Sequence, residues 1–265
     1  MIHCIEAEIL ENKKIVPDFY QITLACPEVA QAAKPGQFIM LKVSPTVDPL
    51  LKRPVSINRI NTGEGTVTLI YQVIGKGTKL LSMISGGGIE VMGPLGRGFV
   101  LKAQYDEVAV VGGGCGIAPL LALVEELLPK SRQVHVLLGA RTKELLLNSR
   151  EYQKSGVLLK VATDDGSAGH RGFVSSLLEE LLQQSELEHV FGCGPEPLLK
   201  KVVAVSQEHS VPCQVSLEER MACGIGACLG CVCTTKAKNG SSSYQRVCQD
   251  GPVFAGSEVI FNEQS

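Results

Sequence analysis

Short apolar runs separated by turn residues fill the first part of the chain. Apolar or alternating segments cover Gln37–Val43, Thr66–Val73 and Gly88–Met92, and glycine-containing turns separate them. Runs of this length and spacing are typical of strands in an antiparallel barrel or sandwich. One short helix is predicted among them, at Lys79–Ile84. The pattern therefore predicts a β-barrel domain over residues 1–102.

The apolar pattern changes at residue 103, where short buried strands begin to alternate with helices. The predicted strands are Glu107–Val111, Gln133–Leu138, Val157–Ala162 and His189–Phe191, and the predicted helices are Ala118–Leu128, Phe173–Leu182 and Pro197–His209. Such alternation favours a parallel sheet with helices on both faces and right-handed crossovers. Residues 103–212 are therefore predicted to form an α/β domain.

Residues 213–265 are predicted to form a third, small module that begins after Val211-Pro212. Lys236–Ser243 is polar and rich in glycine and serine, which is typical of a hairpin tip. A module of this size buries too little apolar surface to be stable by itself. Bound metal and docking against the other two domains should therefore stabilise it. The fold class predicted for the whole chain is multidomain, β plus α/β.

Four cysteines give this module its predicted chemistry. Cys223, Cys228 and Cys231 follow the spacing C-x4-C-x2-C, and Cys248 comes after a connecting segment. This is the plant-type spacing for a [2Fe–2S] cluster, in which four thiolates hold two irons. The intervening residues are mostly small, so backbone N–H groups can approach the sulfurs and help to set the reduction potential. Cys233 is predicted to be a bystander, because the loop already supplies three ligands.

Two other uses of these cysteines stay open at this point. A structural zinc site is the main alternative, although zinc ribbons normally pair two C-x2-C knuckles and one spacing here is x4. A disulfide framework is the lesser alternative, because nothing in the chain indicates secretion. Met1–Leu10 has neither a basic start nor a long apolar core, so the expected location is a reducing cytoplasm.

Composition and charge argue against two classes of partner. The net charge is −2, and aromatic residues make up 5% of the chain, with no tryptophan. Nucleic acids require more basic surface and more stacking side chains than such a chain offers. The uncharged stretch Val108–Val124 is interrupted by glycines and a proline and is too short to cross a bilayer. Neither nucleic acid nor a membrane is therefore expected as a partner.

Short motifs on the predicted barrel could hold a phosphorylated cofactor. Pro35-Gly36-Gln37-Phe38 is a turn that leads into a strand, and Arg53-Pro54-Val55-Ser56 follows. Arg53 offers a planar fork for a pyrophosphate, and Ser56 offers a hydroxyl for a heterocycle edge. Gly75-Lys76-Gly77-Thr78 precedes the short predicted helix, where a glycine loop is suited to phosphate. Singly, each motif is more often an ordinary turn, and their combination and order give them weight.

A glycine loop follows the first strand of the α/β domain. It reads Gly112-Gly113-Gly114-Cys115-Gly116-Ile117-Ala118-Pro119, and a helix is predicted at its end. A dinucleotide pyrophosphate can bind such a loop. The fingerprint G-x-G-x-x-G is not met, so the loop alone supports a nucleotide site weakly. Cys193-Gly194-Pro195 follows the fourth predicted strand, where a cysteine by itself is more often a buried small apolar residue.

Taken together, these motifs resemble those of the ferredoxin reductase superfamily. The resemblance implies a flavin-binding barrel, closed by the segment Gly93–Phe99, and a nicotinamide-binding α/β domain. The residues implied for the flavin are Arg53, Pro54, Val55, Ser56, Ile70, Tyr71, Gln72, Gly77 and Thr78, and those for the nicotinamide cofactor are Gly112, Gly114, Gly116 and Pro119. A catalytic role is implied for Cys193, near the point of hydride transfer between nicotinamide and flavin.

The chain as a whole resembles one family within that superfamily. With Met221–Cys231 in place, residues 1–265 are similar to the electron-transfer subunit of class 1B dihydroorotate dehydrogenase. This resemblance implies an oxidoreductase subunit of pyrimidine biosynthesis that uses FAD, one [2Fe–2S] cluster and NAD⁺. It also implies a separate FMN-containing catalytic subunit, in a heterotetramer of two subunits of each kind. Met221, Ile225 and Leu229 are the apolar residues expected to contact that partner.

The nicotinamide preference and the identity of the complex stay open. Arg141 stands where an acidic residue normally selects NAD and would favour a 2′-phosphate, whereas the family resemblance implies NAD. The loop Thr163–Ser167 could bind the nucleotide or be a solvated turn. One alternative function is a flavin and [2Fe–2S] reductase subunit of another complex, of the NADH-dependent ferredoxin:NADP oxidoreductase, hydrogenase or sulfite reductase type. The other is a zinc-stabilised binding module without turnover.

Overall fold

The computed structural model describes residues 1–237 and 240–261, and its N-terminal part is a closed barrel. The strands of the barrel are β1 (His3–Val16), β2 (Phe19–Ala25), β3 (Phe38–Leu41), β4 (Arg53–Asn61), β5 (Thr66–Gln72) and β6 (Gly88–Leu95). They pair in the order β1-β2-β5-β4-β3-β6, and β6 closes the barrel by pairing antiparallel with both β1 and β3. The predicted antiparallel barrel is confirmed, and Gly93–Leu95 lies in its closing strand.

Alternating apolar positions explain why these segments form a barrel. Ile22 and Leu24 of β2 and Val67 and Leu69 of β5 are fully buried, at every second position of their strands. A period of two directs one face of each strand into the barrel interior. These side chains therefore build the apolar core on which the cofactor-facing surface rests.

Two short helices, α1 (Pro27–Ala32) and α2 (Lys76–Leu81), belong to the barrel. The sequence predicted a helix at Lys79–Ile84, and the structure begins it earlier, at Lys76. The Thr78 hydroxyl explains the early start, because it accepts hydrogen bonds from the N–H groups of Ile74 (3.0 Å) and Gly75 (3.2 Å). The glycine motif is therefore the first turn of the helix and not a loop before it.

A parallel sheet with helices follows the barrel, as predicted. Its elements are β7 (Tyr105–Gly113), α3 (Leu120–Leu127), β8 (Ser131–Ala140), α4 (Ser149–Lys154), β9 (Leu158–Thr163), β10 (His170–Arg171), α5 (Val174–Gln184), β11 (His189–Cys193), α6 (Glu196–Glu208) and β12 (Cys213–Ser216). The strands pair parallel in the order β10-β9-β8-β7-β11-β12. The carboxyl ends of β7 and β11 therefore meet at one edge, where ligands bind in such sheets.

The last part of the chain is divided between this sheet and a small hairpin. β13 (Val232–Lys236) pairs antiparallel with β14 (Ser242–Arg246), and β15 (Val253–Ala255) pairs antiparallel with β12. Of the predicted hairpin tip, Lys238 and Asn239 lie outside the described residues. The domain boundary at residue 212 stays a prediction, and β12 and β15 extend the α/β sheet from beyond it.

One apolar core joins the three parts of the chain. Phe38 and Met40 of the barrel, Val215 of the sheet, and Cys231 and Cys248 belong to the same buried cluster. A Cβ atom on Gly224 would lie 2.9 Å from the Met40 side chain. The loop of residues 221–231, called the cysteine loop from here on, therefore packs directly against the barrel wall. In the described part of the chain, no helix is long and apolar enough to cross a membrane.

Candidate cofactor sites between barrel, sheet and cysteine loop

A cavity of 500 Å³ opens where the barrel faces the sheet. The predicted flavin residues that line it are Pro54, Val55, Ser56, Ile70, Tyr71, Gln72 and Thr78, and Pro119 from the glycine loop lines it too. This volume is within the usual range for a cofactor or ligand pocket. Strands β4 and β5 pair with each other in the barrel, so they present their predicted residues to the same space.

The wall of this cavity is rigid at Tyr71. Its hydroxyl donates to Asn12 Oδ1 at 3.0 Å, and its ring stacks on Tyr20 with centroids 5.7 Å apart. Burial raises the pKa of Tyr71 to about 12, so the phenol stays neutral. A fixed, uncharged side chain of this kind provides a surface for a flat ring without offering a competing charge.

Arg53 and Gly77 are in direct contact with each other next to the lining residues Pro54 and Thr78, but neither is among the described residues that line the cavity. A Cβ atom on Gly77 would lie 2.1 Å from Arg53 Nε and 2.5 Å from its Cζ. The Arg53 guanidinium also donates to the carbonyl groups of Leu51 and Lys52. A side chain at position 77 would therefore push the flexible end of Arg53 away from the first turn of α2.

A second cavity of 620 Å³ lies at the carboxyl edge of the sheet. Gly114, Arg141 and Lys201 line it together with Phe173 and Asp164. It combines two cations, a carboxylate and an aromatic ring with an exposed glycine backbone. Such a set can bind a phosphorylated nucleotide, because cations and free N–H groups neutralise phosphate while a ring supports the base.

Gly112 and Gly116 support the second cavity from behind. A Cβ atom on Gly116 would lie 2.5 Å from backbone atoms of Cys193 and Gly194, and one on Gly112 would lie 2.9 Å from Leu120. The glycine loop can therefore approach the end of β11 only without a side chain at position 116. The two cavities share a boundary, because Gln72 and Cys115 line both of them.

Cys193 lies at this boundary but beneath its surface. Only 2% of its surface is exposed, and it is not one of the described residues that line either cavity. Burial, reinforced by the nearby Glu218 carboxylate, raises the pKa of the Cys193 thiol far above its ordinary value. Cys193 therefore lies behind the glycine loop, and its role in hydride transfer stays a prediction.

Sequence reasoning missed two residues at the boundary, Cys115 and Glu218. Glu218 lines the first cavity, and its charge acts on both Cys115 and Cys193. Cys115 could have been found, since it lies inside the glycine loop. Glu218 belongs to no motif and reaches the cavity through tertiary packing alone.

The four predicted ligand cysteines approach one another as two pairs linked by backbone N–H groups. The N–H of Cys228 donates to Cys223 Sγ, and that of Cys248 donates to Cys231 Sγ, both at 3.4 Å. Cys231 and Cys248 are each 2% exposed, whereas Cys228 is exposed. Among the described residues, no group of three or more His, Cys, Asp or Glu side chains is arranged to hold a single metal ion. Thiolates paired in this way suit a centre with two metal atoms.

Two of these thiols differ in acidity. Burial opposes ionisation of Cys223, but hydrogen bonds from the N–H groups of Ile225, Cys228 and Ala227 outweigh it and lower the pKa of the thiol to about 6. Burial raises the pKa of Cys248 to about 12. Cys223 is therefore ready to bind metal as a thiolate, whereas Cys248 loses its proton when metal binds.

The cysteine loop has an inner and an outer face. Met221 lines the first cavity, two residues before Cys223, although the sequence assigned it to a partner surface. Ile225 and Leu229 point outward, with exposed fractions of 46% and 62%. The loop therefore connects the wall of the first cavity to the protein surface.

Comparison with known proteins places the chain in a family. Residues 218–260 match the iron-sulfur cluster binding domain of dihydroorotate dehydrogenase B, and residues 110–204 match an oxidoreductase NAD-binding domain. The chain is 39% identical over 257 residues to the dihydroorotate dehydrogenase B (NAD(+)) electron transfer subunit of Desulforamulus reducens, covering 97% of this chain and 98% of that protein. The chain belongs to this family of electron transfer subunits. The family member from Caldanaerobacter subterraneus subsp. tengcongensis is 41% identical, with the same coverage of both chains.

Solved structures share the fold. An NADH-dependent reduced ferredoxin-NADP oxidoreductase, described for flavin-based electron bifurcation, superposes with a TM-score of 0.84 and 31% identity, covering 96% of this chain and 89% of that chain. A ferredoxin NADP⁺ reductase from Neisseria gonorrhoeae superposes with a TM-score of 0.67 at 18% identity, covering 82% of this chain and 94% of that chain. The predicted family, the predicted fold class, the iron-sulfur module and the NAD-binding domain are all confirmed by these comparisons.

Proposed function

We propose that this chain passes electrons from a dihydroorotate-oxidising partner to NAD⁺, through a [2Fe–2S] cluster and FAD, in de novo pyrimidine biosynthesis. The observation that carries the proposal is the arrangement of the three sites. Gln72 and Cys115 line both cavities, and Met221 joins the first cavity to the cysteine loop. FAD exchanges a hydride with nicotinamide and single electrons with a cluster, which is the chemistry that such a relay requires.

The first cavity is the proposed FAD site. Arg53 binds the pyrophosphate, supported by the contact with Gly77 and by the nearby Thr78 at the start of α2. Ser56 hydrogen-bonds the edge of the isoalloxazine. Pro54 and Val55 continue the wall on the same strand, and Ile70, Tyr71 and Gln72 lie along the ring on the neighbouring strand.

The second cavity is the proposed NAD site. Gly114 lines it, while Gly112 and Gly116 allow the loop to pack against its neighbours. Pro119 ends that loop on the flavin side. We propose that Cys193 lies behind the glycine loop and supports the site of the reacting rings indirectly. Cys115 would lie nearer to the rings, because it lines both cavities.

The cysteine loop is the proposed cluster site, with two irons held by Cys223, Cys228, Cys231 and Cys248. In the pairs Cys223–Cys228 and Cys231–Cys248 a backbone N–H of one cysteine donates to the sulfur of the other, which would hold the thiolates in place to bind iron. Cys233 lies in β13 and stays a bystander.

The outer face of the loop is the proposed contact with the partner. Ile225 and Leu229 flank the exposed Cys228 there, so an electron can enter at the surface and leave toward Met221. The partner we propose is an FMN-containing catalytic subunit, in a heterotetramer of two subunits of each kind. Ten free cysteines are consistent with a reducing cytoplasm as the place of action.

The nicotinamide cofactor is expected to be NAD(H). Arg141 and Lys201 could attract a 2′-phosphate. Asp164 lines the same cavity, and its carboxylate would repel that phosphate but accept hydrogen bonds from the ribose hydroxyl groups of NAD. We expect NADH to bleach the flavin faster than NADPH in stopped-flow experiments, and Asp164→Asn to narrow the difference. Faster bleaching by NADPH would contradict this assignment and make Arg141 the phosphate ligand.

Reconstitution with the catalytic subunit tests the proposed function. The isolated chain should oxidise NADH with artificial acceptors and leave dihydroorotate untouched, and addition of the catalytic subunit should confer dihydroorotate-dependent NAD⁺ reduction. Turnover of dihydroorotate by the isolated chain would contradict the proposal.

A second candidate function is a subunit of an NADH-dependent ferredoxin-NADP oxidoreductase. The superposition at 31% identity and a TM-score of 0.84 favours it. A turnover assay with each substrate distinguishes the two candidate functions. The second predicts NADPH-linked turnover of ferredoxin with its own partner and no turnover of dihydroorotate.

A further inference from the structure

Arg246 is the last residue of β14, two positions before Cys248, and its guanidinium reaches across to the cysteine loop. Its Nη1 donates to the carbonyl oxygen of Gly226 at 3.2 Å. Its Nε and Nη2 donate to the two carboxylate oxygens of Asp250, at 3.0 and 3.4 Å. The backbone N–H of Arg246 also donates to Asp250, at 3.0 Å. Arg246 is therefore held in one orientation, with Nε and Nη2 on Asp250 and Nη1 directed at the loop.

Gly226 is the residue at which the loop is fastened to the segment that carries Cys248. Its N–H donates to Cys248 Sγ at 3.1 Å, while its carbonyl accepts from Arg246. Its φ angle is 82°, and a Cβ atom there would lie 1.9 Å from Gln249 Oε1. Arg246, Cys248 and Gln249 thus enclose one glycine from three directions. The position of Gly226 fixes how its N–H meets the sulfur of the fourth cysteine.

The charge of Arg246 acts on the same sulfurs. Its Nη1 binds the carbonyl of Gly226, and the N–H of the same glycine binds Cys248 Sγ, so one residue separates the guanidinium from that sulfur. Cys231 and Cys248 are each 2% exposed. The Arg246 side chain itself is 33% exposed, so water partly screens its charge. A site with four thiolates carries one more negative charge when it is reduced than when it is oxidised, so a nearby cation favours the reduced state. Asp250 on the other side of the guanidinium weakens that effect.

We propose that Arg246 is a positioning residue for the cluster and raises its reduction potential, and that Asp250 moderates the rise. This inference rests on the proposed function in one respect, namely that the cysteines hold a [2Fe–2S] cluster. It adds a charge pair that sets how readily an electron enters the relay. The two partners of the pair should have opposite effects, which a purely structural role would not produce.

Redox titration of the holoprotein, followed by EPR, tests the proposal without any turnover assay. Arg246→Gln keeps a donor for Gly226 but removes the charge, and we expect the reduced-to-oxidised ratio at fixed potential to fall by about tenfold, which is 59 mV for a one-electron couple. Asp250→Asn removes the opposing charge, and we expect the ratio to rise. Arg246→Lys keeps the charge and should stay close to the wild-type potential.

Iron content and g-values distinguish the outcomes. Unchanged potentials, or shifts of the same sign in Arg246→Gln and Asp250→Asn, in variants with full iron content would overturn this inference alone. If Arg246→Gln loses iron, the other two variants decide, and a lowered potential in Arg246→Lys would overturn the proposal. A wild-type protein without the [2Fe–2S] signal would overturn the proposed function as well.

Discussion

Replacing Cys228 with serine in the assembled complex is expected to abolish dihydroorotate-dependent NAD⁺ reduction. Cys228 is the exposed thiol on the outer face of the loop, and its removal leaves one iron short of a ligand. NADH oxidation by a two-electron dye should persist, because the two cavities lie apart from this thiol. The measurement is the ratio of the two activities in the same preparation, together with its visible spectrum.

Cys233→Ser is the matched control for this prediction. Cys233 is half-buried in β13, two residues after Cys231, and is not one of the proposed ligands. The control should keep the cluster spectrum and both activities. Coupled activity that survived in Cys228→Ser would show that electrons reach NAD⁺ without the cluster.

Replacing Gly77 with alanine is expected to weaken FAD binding. The new methyl group would fall 2.1 Å from Arg53 Nε, so either the guanidinium or the first turn of α2 must move. Loss of the proposed charge-assisted contact between Arg53 and the pyrophosphate should weaken FAD binding by roughly 1.5–3 kcal/mol, about 10- to 150-fold in Kd. Arg53→Ala should weaken it by a similar amount. Fluorescence titration of the apoprotein with FAD measures both.

Gly75→Ala provides the control two residues earlier in the same motif. Its φ angle of −164° is open to any residue, and a Cβ atom there would have no neighbour within 4 Å among the described atoms. We expect FAD affinity close to wild type. Equal losses in Gly75→Ala and Gly77→Ala, or full affinity in Arg53→Ala, would argue against Arg53 as the pyrophosphate ligand.

The sequence predicted those features that depend on local patterns. The spacing of Cys223, Cys228 and Cys231 is readable without a fold, because three ligands on one short loop must obey it. The strands of the barrel and the elements of the α/β sheet could be predicted from the repeat of apolar residues, because that repeat is a property of each segment by itself. The motif at Arg53 was readable because a charged residue and its turn lie together in the chain, and the one at Gly114 because its glycines directly follow a strand.

Features created by packing between distant segments were not readable. Glu218 reaches the flavin cavity from the chain that follows β12, and no residue near it in sequence signals that position. The hydrogen bond from Arg246 to the Gly226 carbonyl forms only because β14 brings Arg246 back to the cysteine loop. Met221 looked like a surface residue, and becomes a cavity wall because Gly224 packs against Met40.

Strand pairing across the chain also escaped the local pattern. β15 was read as part of a separate module, yet it lies beside β12 in the α/β sheet. The residues involved, Val253–Ala255, are too few to show a period. Their partner is fixed by the fold of the intervening cysteine loop, and this explains why the loop and the sheet share one apolar core.

Isolation of the native complex through this chain tests the central claim most directly. The account predicts that an FMN-containing dihydroorotate-oxidising subunit co-purifies, and that FAD and two irons accompany each copy of this chain. The complex should then reduce NAD⁺ when dihydroorotate is the sole electron donor. Recovery of a zinc-containing colourless protein, or of a complex that turns over ferredoxin and NADPH but not dihydroorotate, would contradict it.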